Sequence, residues 1–226
     1  MALPATQGTG PATELSASDR TDLLHRMLVL RHLAVLSRAP GRGAEAVVAG
    51  IGAALSPSDH LHVIGSSPTG EERSQSTAGI TVRLAHFGGN GGPDRICALF
   101  AHRSSDRIQR QVTVDGWDVE AVFAASARAA RAVRTWDAAH LLTLRTGGAR
   151  GRHDPIAVLA DRMRLAHQLD DDTFACFELD ARRVATRLSR DRGLDGRLAT
   201  LATVASALAP RFTPAPDPAA RQYRRG

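Results

Sequence analysis

The residues that could do chemistry are few and scattered. Two cysteines, Cys97 and Cys176, stand far apart with no paired spacing, which argues against a disulfide or metal site and predicts two buried free thiols. Every one of the 29 basic residues is Arg, so Schiff-base lysine chemistry and the lysine-bearing phosphate loop are both excluded. The glycine-rich run from Gly88 to Gly92 invites a phosphate cradle, but it lacks a strand before it and a helix after it. It reads as a plain connection from a helix over Ala78 to Phe87 into a strand over Ile96 to Ala101. Asp170-Asp171-Asp172 has the look of a cation site, yet tandem acids ahead of a helix serve better as cap and dipole complement. Asp106, between Arg103 and Arg107, reads as a surface ion pair. His153 reads as an exposed residue at a helix entry. No catalytic, cofactor-binding or metal-ligating residue is assigned.

The elements that position these residues are organised around the stretch ending at Arg145. Gln111 to Val114 is short, β-branched and apolar, and Asp115-Gly116 supplies a turn. Asp118 then sits at a helix N-cap, with Glu120 in the first turn. Val119, Val122, Phe123, Ala127, Ala130 and Val133 recur at helical steps, and Arg128, Arg131 and Arg134 load the C-terminal half. His140 to Leu144 is the next strand. Strand, helix and strand at this spacing predict a parallel crossover and an α/β chain.

Upstream, residues 1–17 are rich in Pro, Gly, Thr and Ala and are expected to be a disordered lead. Ser18 is the expected cap of a helix running to about Arg38, with Leu23, Leu24, Met27, Leu30 and Leu33 in period. Gly43 to Leu55 is a second helix with a very small surface (Ala46, Ala49, Gly50, Ala53, Ala54), suited to burial or to close packing on another subunit. Pro57-Ser58-Asp59 is a turn, His60 to Ile64 a short strand and Gly65 to Ser76 a polar loop. Downstream, Pro155 opens a helix to Leu169, a further helix spans Thr173 to about Ser189, and Leu194 to Ala209 is another. Residues 210–226 form a Pro/Arg-rich tail expected to be disordered.

The chain has 226 residues, of which 43% are hydrophobic, enough for one domain with a sizeable core. No apolar run approaches the ~20 residues of a membrane span, and the N-terminus lacks a signal-peptide pattern, so a cytoplasmic location is expected. The net charge of +6 comes from arginines spread along the chain. Without a basic cluster interleaved with aromatics, nucleic-acid binding is not expected.

Several short matches, in order, are similar to one family. Val114-Asp115-Gly116-Trp117-Asp118 and the strand leading to Gly147-Gly148 resemble the C-terminal half of the alpha subunits of thiamine-diphosphate-dependent 2-oxo acid dehydrogenase E1 components, where the turn is Val-Asp-Gly-Asn-Asp. Met27 and Arg31, then Gly43-Ala44-Glu45-Ala46, then Leu55-Ser56-Pro57-Ser58-Asp59 resemble the opening of the same subunits. Asp154-Pro155-Ile156 is similar to the entry to a later helix. The resemblance covers most of Ser18 to about Ser189.

That resemblance implies a truncated thiamine-diphosphate-binding-type α/β fold, with a mostly parallel sheet flanked by helices and with C-terminal helices. The reduced domain would span 18–190, followed by a helix over 191–209. It also implies pairing with an E1 beta-type or E1 alpha-type subunit, because the family cofactor, thiamine diphosphate with magnesium, lies between alpha and beta chains. Three family features are missing. Gly65, Ser66, Ser67 and Pro68 stand where a basic segment reaches the diphosphate, and Ala149 stands where a histidine contacts cofactor and substrate. The Gly-Asp-Gly segment that holds magnesium occurs nowhere in the chain. No bound cofactor is expected, and the primary expectation is a degenerate E1 alpha-like protein without cofactor chemistry of its own. The alternatives are a working alpha-type subunit whose site a partner chain completes, and an unrelated basic binding module.

Overall fold

The computed structural model describes residues 15–36, 44–64, 79–87, 95–102, 108–146 and 154–192. In chain order these form α1 (Ala17–Leu36), α2 (Ala44–Ala54), β1 (His60–Ile64), β2 (Thr81–Phe87), β3 (Arg95–Ala101), β4 (Ile108–Asp115), α3 (Val119–Trp136), β5 (Ala139–Arg145), α4 (Pro155–Leu165) and α5 (Asp171–Arg192). The α/β class expected from sequence is observed. Among the described residues no helix is long and apolar enough to cross a membrane.

The sheet is mixed, which corrects the expectation of a mostly parallel one. Its strand order is β1-β2-β3-β5-β4. β1 and β2 run parallel, as do β4 and β5, while β3 is antiparallel to both β2 and β5. Connection length decides this. A parallel pair needs a crossover of a dozen or more residues. Residues 65–80 give that length between β1 and β2, and α3 supplies it between β4 and β5. Residues 88–94 are too few for a crossover, so β3 must return alongside β2.

The element behind this difference is β2, which lies where a helix was expected over Ala78 to Phe87. Its residues follow the two-residue period of a strand: Val82 and Leu84 are buried while Thr81 and Arg83 are half-buried. Gly79 fixes the entry. Its φ is 155°, and a Cβ there would stand 2.1 Å from the Ser58 carbonyl oxygen, so only glycine fits.

The helices stack in layers behind the sheet. α3 packs on β3, β4 and β5, α2 packs on α3, and α1 packs on α2, α4 and α5. Burial on two sides explains why the buried face of α3 is wider than its sequence stripe. Ala125, Ser126, Ala129 and Ala132 are buried beside the expected residues, while Ala127 is only half-buried. The small surface of α2 serves burial within the chain: a Cβ on Gly50 would meet Val122 Cγ1 at 2.8 Å and the Phe123 backbone nitrogen at 3.0 Å.

Helix ends differ from expectation by a few residues, each for a visible reason. α1 is capped by Ser16, not Ser18. The Ser16 N–H donates to Asp19 Oδ2 at 2.9 Å, and the Asp19 N–H donates to Ser16 Oγ at 3.2 Å, a reciprocal box. α4 stops at Leu165, short of Leu169, because His167 takes a left-handed φ of 56° and the Gln168 N–H returns to the Met163 carbonyl at 2.8 Å. Cys97 is half-buried and Cys176 exposed, both free, so the expectation of two buried thiols is corrected. Cys176 lies on the outward side of α5, away from Ala181 and Ala185, which are buried. The expected helix over Leu194 to Ala209, the tail over 210–226 and the loop over Gly65 to Ser76 lie outside the described residues.

Gly50→Ala tests the contact between α2 and α3. In an open helix this change gains up to ~1 kcal/mol. Here the displaced Val122 and α3 backbone are expected to turn it into a loss of about 1–3 kcal/mol, read from urea denaturation. Unchanged or increased stability would show that α2 is not seated on α3 this closely.

Candidate functional site: ion-paired helix starts

Three acids of the matched segments, Glu45, Asp118 and Asp154, are found at the starts of α2, α3 and α4. Asp118 caps α3 from extended backbone (φ −96°, ψ 98°), and its Oδ1 accepts from the N–H groups of Glu120 and Ala121, both at 3.1 Å. The preceding Asp115-Gly116 turn is closed by the Gly116 N–H on the Arg145 carbonyl at 2.9 Å and by the Trp117 N–H on Asp115 Oδ1 at 3.1 Å. Asp154 caps α4, accepting from the Ile156 N–H at 2.9 Å, with Pro155 in the first turn as expected. Glu45 is the acid in the first turn of α2.

Each of these carboxylates is held by arginine. Arg162 of α4 donates to Asp118 Oδ2 at 2.8 Å and to Glu120 Oε2 at 2.7 Å. Arg20 of α1 donates through Nε to the other oxygen of Glu120 at 2.7 Å. Arg31, also on α1, donates to Asp154 Oδ1 at 2.8 Å and pairs with Glu45. A further pair lies at the far end of α3. Arg134 bonds Asp59, whose two oxygens also accept from the N–H groups of Ser56 at 2.7 Å and Ile80 at 3.0 Å.

The electrostatics follow from this geometry. Burial pushes Asp118 upward, but the Arg162 guanidinium and the N–H groups of Ala121 and Glu120 outweigh it and hold the carboxyl below its ordinary value. Asp154 is depressed against the same penalty by Arg31 and the Ile156 N–H. Arg31 is raised despite burial by its two carboxylates, and Arg162 is raised chiefly by its bond to Asp118. Burial, with Arg110 beside it, holds His140 on β5 below the usual imidazole range.

A helix start is an anion site, because its free N–H groups and dipole both favour negative charge. At α2, α3 and α4 the chain's own side chains occupy that role, and arginines neutralise them. The carboxylates and guanidiniums here are bound to one another. Among the described residues, no three His, Cys, Asp or Glu side chains gather where a metal could be held.

The acidic triplet behaves as a cap, as read from sequence. Asp170 accepts from the Thr173 N–H at 2.7 Å and is held below the ordinary range by those Thr173 bonds. Asp171 pairs with Arg164, which also lies 5.3 Å from the Phe174 ring. Asp106, His153, Gly88 to Gly92 and Ala149 lie outside the described residues. Sequence reading missed the arginine network, although Arg20 and Arg31 stand about three helical turns apart on α1 and so share one face.

Acid stability tests the network. Groups depressed on folding contribute stability that is complete above their unfolded values, ~6.5 for His and ~3.9 for Asp, and lost as pH falls through the folded ones. Stability from urea titrations is therefore expected to decline gently below about pH 6.5 and steeply below about pH 4. Asp118→Asn with Asp154→Asn should flatten the steep limb, since Asn still caps. Asp118→Ala, which also removes the cap, should cost about 0.5–2 kcal/mol at neutral pH. An unchanged acid limb in the Asn variants would show that the guanidiniums do not hold these carboxyls.

No protein-family model and no curated protein matches this chain.

Proposed function

We propose that this chain is a degenerate 2-oxo acid dehydrogenase E1 alpha-like protein, without cofactor chemistry of its own, that pairs with an E1 beta-type or E1 alpha-type subunit. The supporting observation is the fate of the polar residues in the matched segments. Arg31 of α1 is paired with Glu45 and Asp154 at the starts of α2 and α4, and Asp118 caps α3 and is paired with Arg162 of α4. They maintain a frame, and none of them is presented to a diphosphate. The missing Gly-Asp-Gly segment agrees with this reading. So do Gly65 to Pro68 and Ala149, which supply no charged donor where the family has one. A truncated thiamine-diphosphate-type fold and a cytoplasmic setting belong to the same proposal.

Two titrations test it. Calorimetry of the purified chain with thiamine diphosphate and magnesium is expected to give no binding heat, and sedimentation with an E1 beta-type subunit is expected to give a heavier mixed species. Cofactor binding by the chain alone would overturn the loss of chemistry. Cofactor binding only by the mixture would favour the working-subunit alternative. No association with either subunit type would remove the family reading itself.

A further inference from the structure

The outward side of α5 carries a stripe that complements itself. One side of the helix is spent on α1: Ala181 and Ala185 are buried, and Phe174, Phe177, Val184 and Leu188 pack against the core. The opposite side presents Asp172, Cys176, Leu179 and Arg183, all exposed, with Leu179 at 54%. Their steps of four, three and four residues keep them on one line, as in the seam of a coiled coil. Read from either end the steps are the same, and the chemistry runs acid, apolar, apolar, base. Helix polarity accounts for acids at the start and bases at the end. It does not account for a large aliphatic side chain left in water at the middle of the line.

We infer that α5 docks antiparallel against α5 of a second copy of this chain. In the register centred between Cys176 and Leu179, Asp172 faces Arg183 of the second copy at each end, and Cys176 faces Leu179 at each of two central positions. The two-fold axis makes each contact occur twice. Asp172 and Arg183 have no ion-pair partner among the described residues of one copy, so pairing them breaks nothing. Contact over about 12 residues, or ~18 Å of helix, is small for a protein interface. The pair is therefore weak and reversible. Leu179 at the centre decides against a nucleic acid as the occupant, which would have no use for it.

The inference does not depend on the family reading, and its test uses the chain alone. A short bis-maleimide linker should join Cys176 to Cys176 of the second copy, because the register places them three residues, about 4.5 Å, apart along the helix axis. With Cys97→Ser as background, cross-linked dimer is expected at 100 μM protein. Asp172→Arg or Arg183→Asp alone should weaken self-association in sedimentation equilibrium about tenfold or more, by setting like charges together. The double variant Asp172→Arg/Arg183→Asp should restore it to within about threefold, since the exchange is symmetric. Unchanged helix content and melting in the single variants would separate lost docking from lost folding. A chain that stays monomeric at 1 mM, single reversals without effect, or a double variant no better than the singles would each overturn the inference. So would a chain that remains monomeric while duplex DNA binds it through Arg183.

Discussion

Arginine held between helix starts is the constraint on which this architecture depends. α2, α3 and α4 each begin with a carboxylate, and α1 and α4 supply the guanidiniums that reach them. A capping carboxylate already satisfies orphan N–H groups, so it is fixed in place before any ion pair forms. The arginine then meets a preset target and spends little side-chain freedom in binding it. Glu120 shows the result, with Arg20 on one oxygen and Arg162 on the other. Through that single side chain α1 and α4 are both tied to α3.

How much of this was legible in the sequence depended on range. The unit from β4 through α3 to β5 could be read, because a turn glycine, a capping aspartate and a three-to-four-residue apolar period are all local signals. The acidic triplet could be read as a cap for the same reason. β2 could not. Thr81 to Phe87 is bounded by Gly79 and by a glycine-rich connection, and seven residues with mixed polarity satisfy either period over so short a span. Misreading that strand carried over to the sheet, since a helix there removes one antiparallel neighbour of β3. The ion pairs were invisible for another reason. Arg20 and Glu120 lie 100 positions apart and Arg31 and Asp154 lie 123 apart, and no local pattern links them.

Arg31, Glu45, Asp118 and Asp154 belong to the segments whose order resembles a cofactor-binding family, yet capping and charge pairing alone explain each of them. Losing one of these residues would leave a partly buried charge or an uncapped helix. A likeness carried by such positions speaks to a frame more strongly than to a reaction.

One feature of the sheet bears on how the molecule comes to be made. β5 is the last strand among the described residues, yet it lies between β3 and β4. Until Arg145 has left the ribosome and α3 has formed, β3 and β4 each carry an open row of backbone donors and acceptors with no strand between them. During synthesis the chain therefore passes through a stage in which the outer edge of β3 is bare and β4 is unpaired, both open to pairing with any other extended segment nearby. Arg110 and two glutamines, Gln109 and Gln111, are exposed on β4 and place polar groups on one of those edges while it waits.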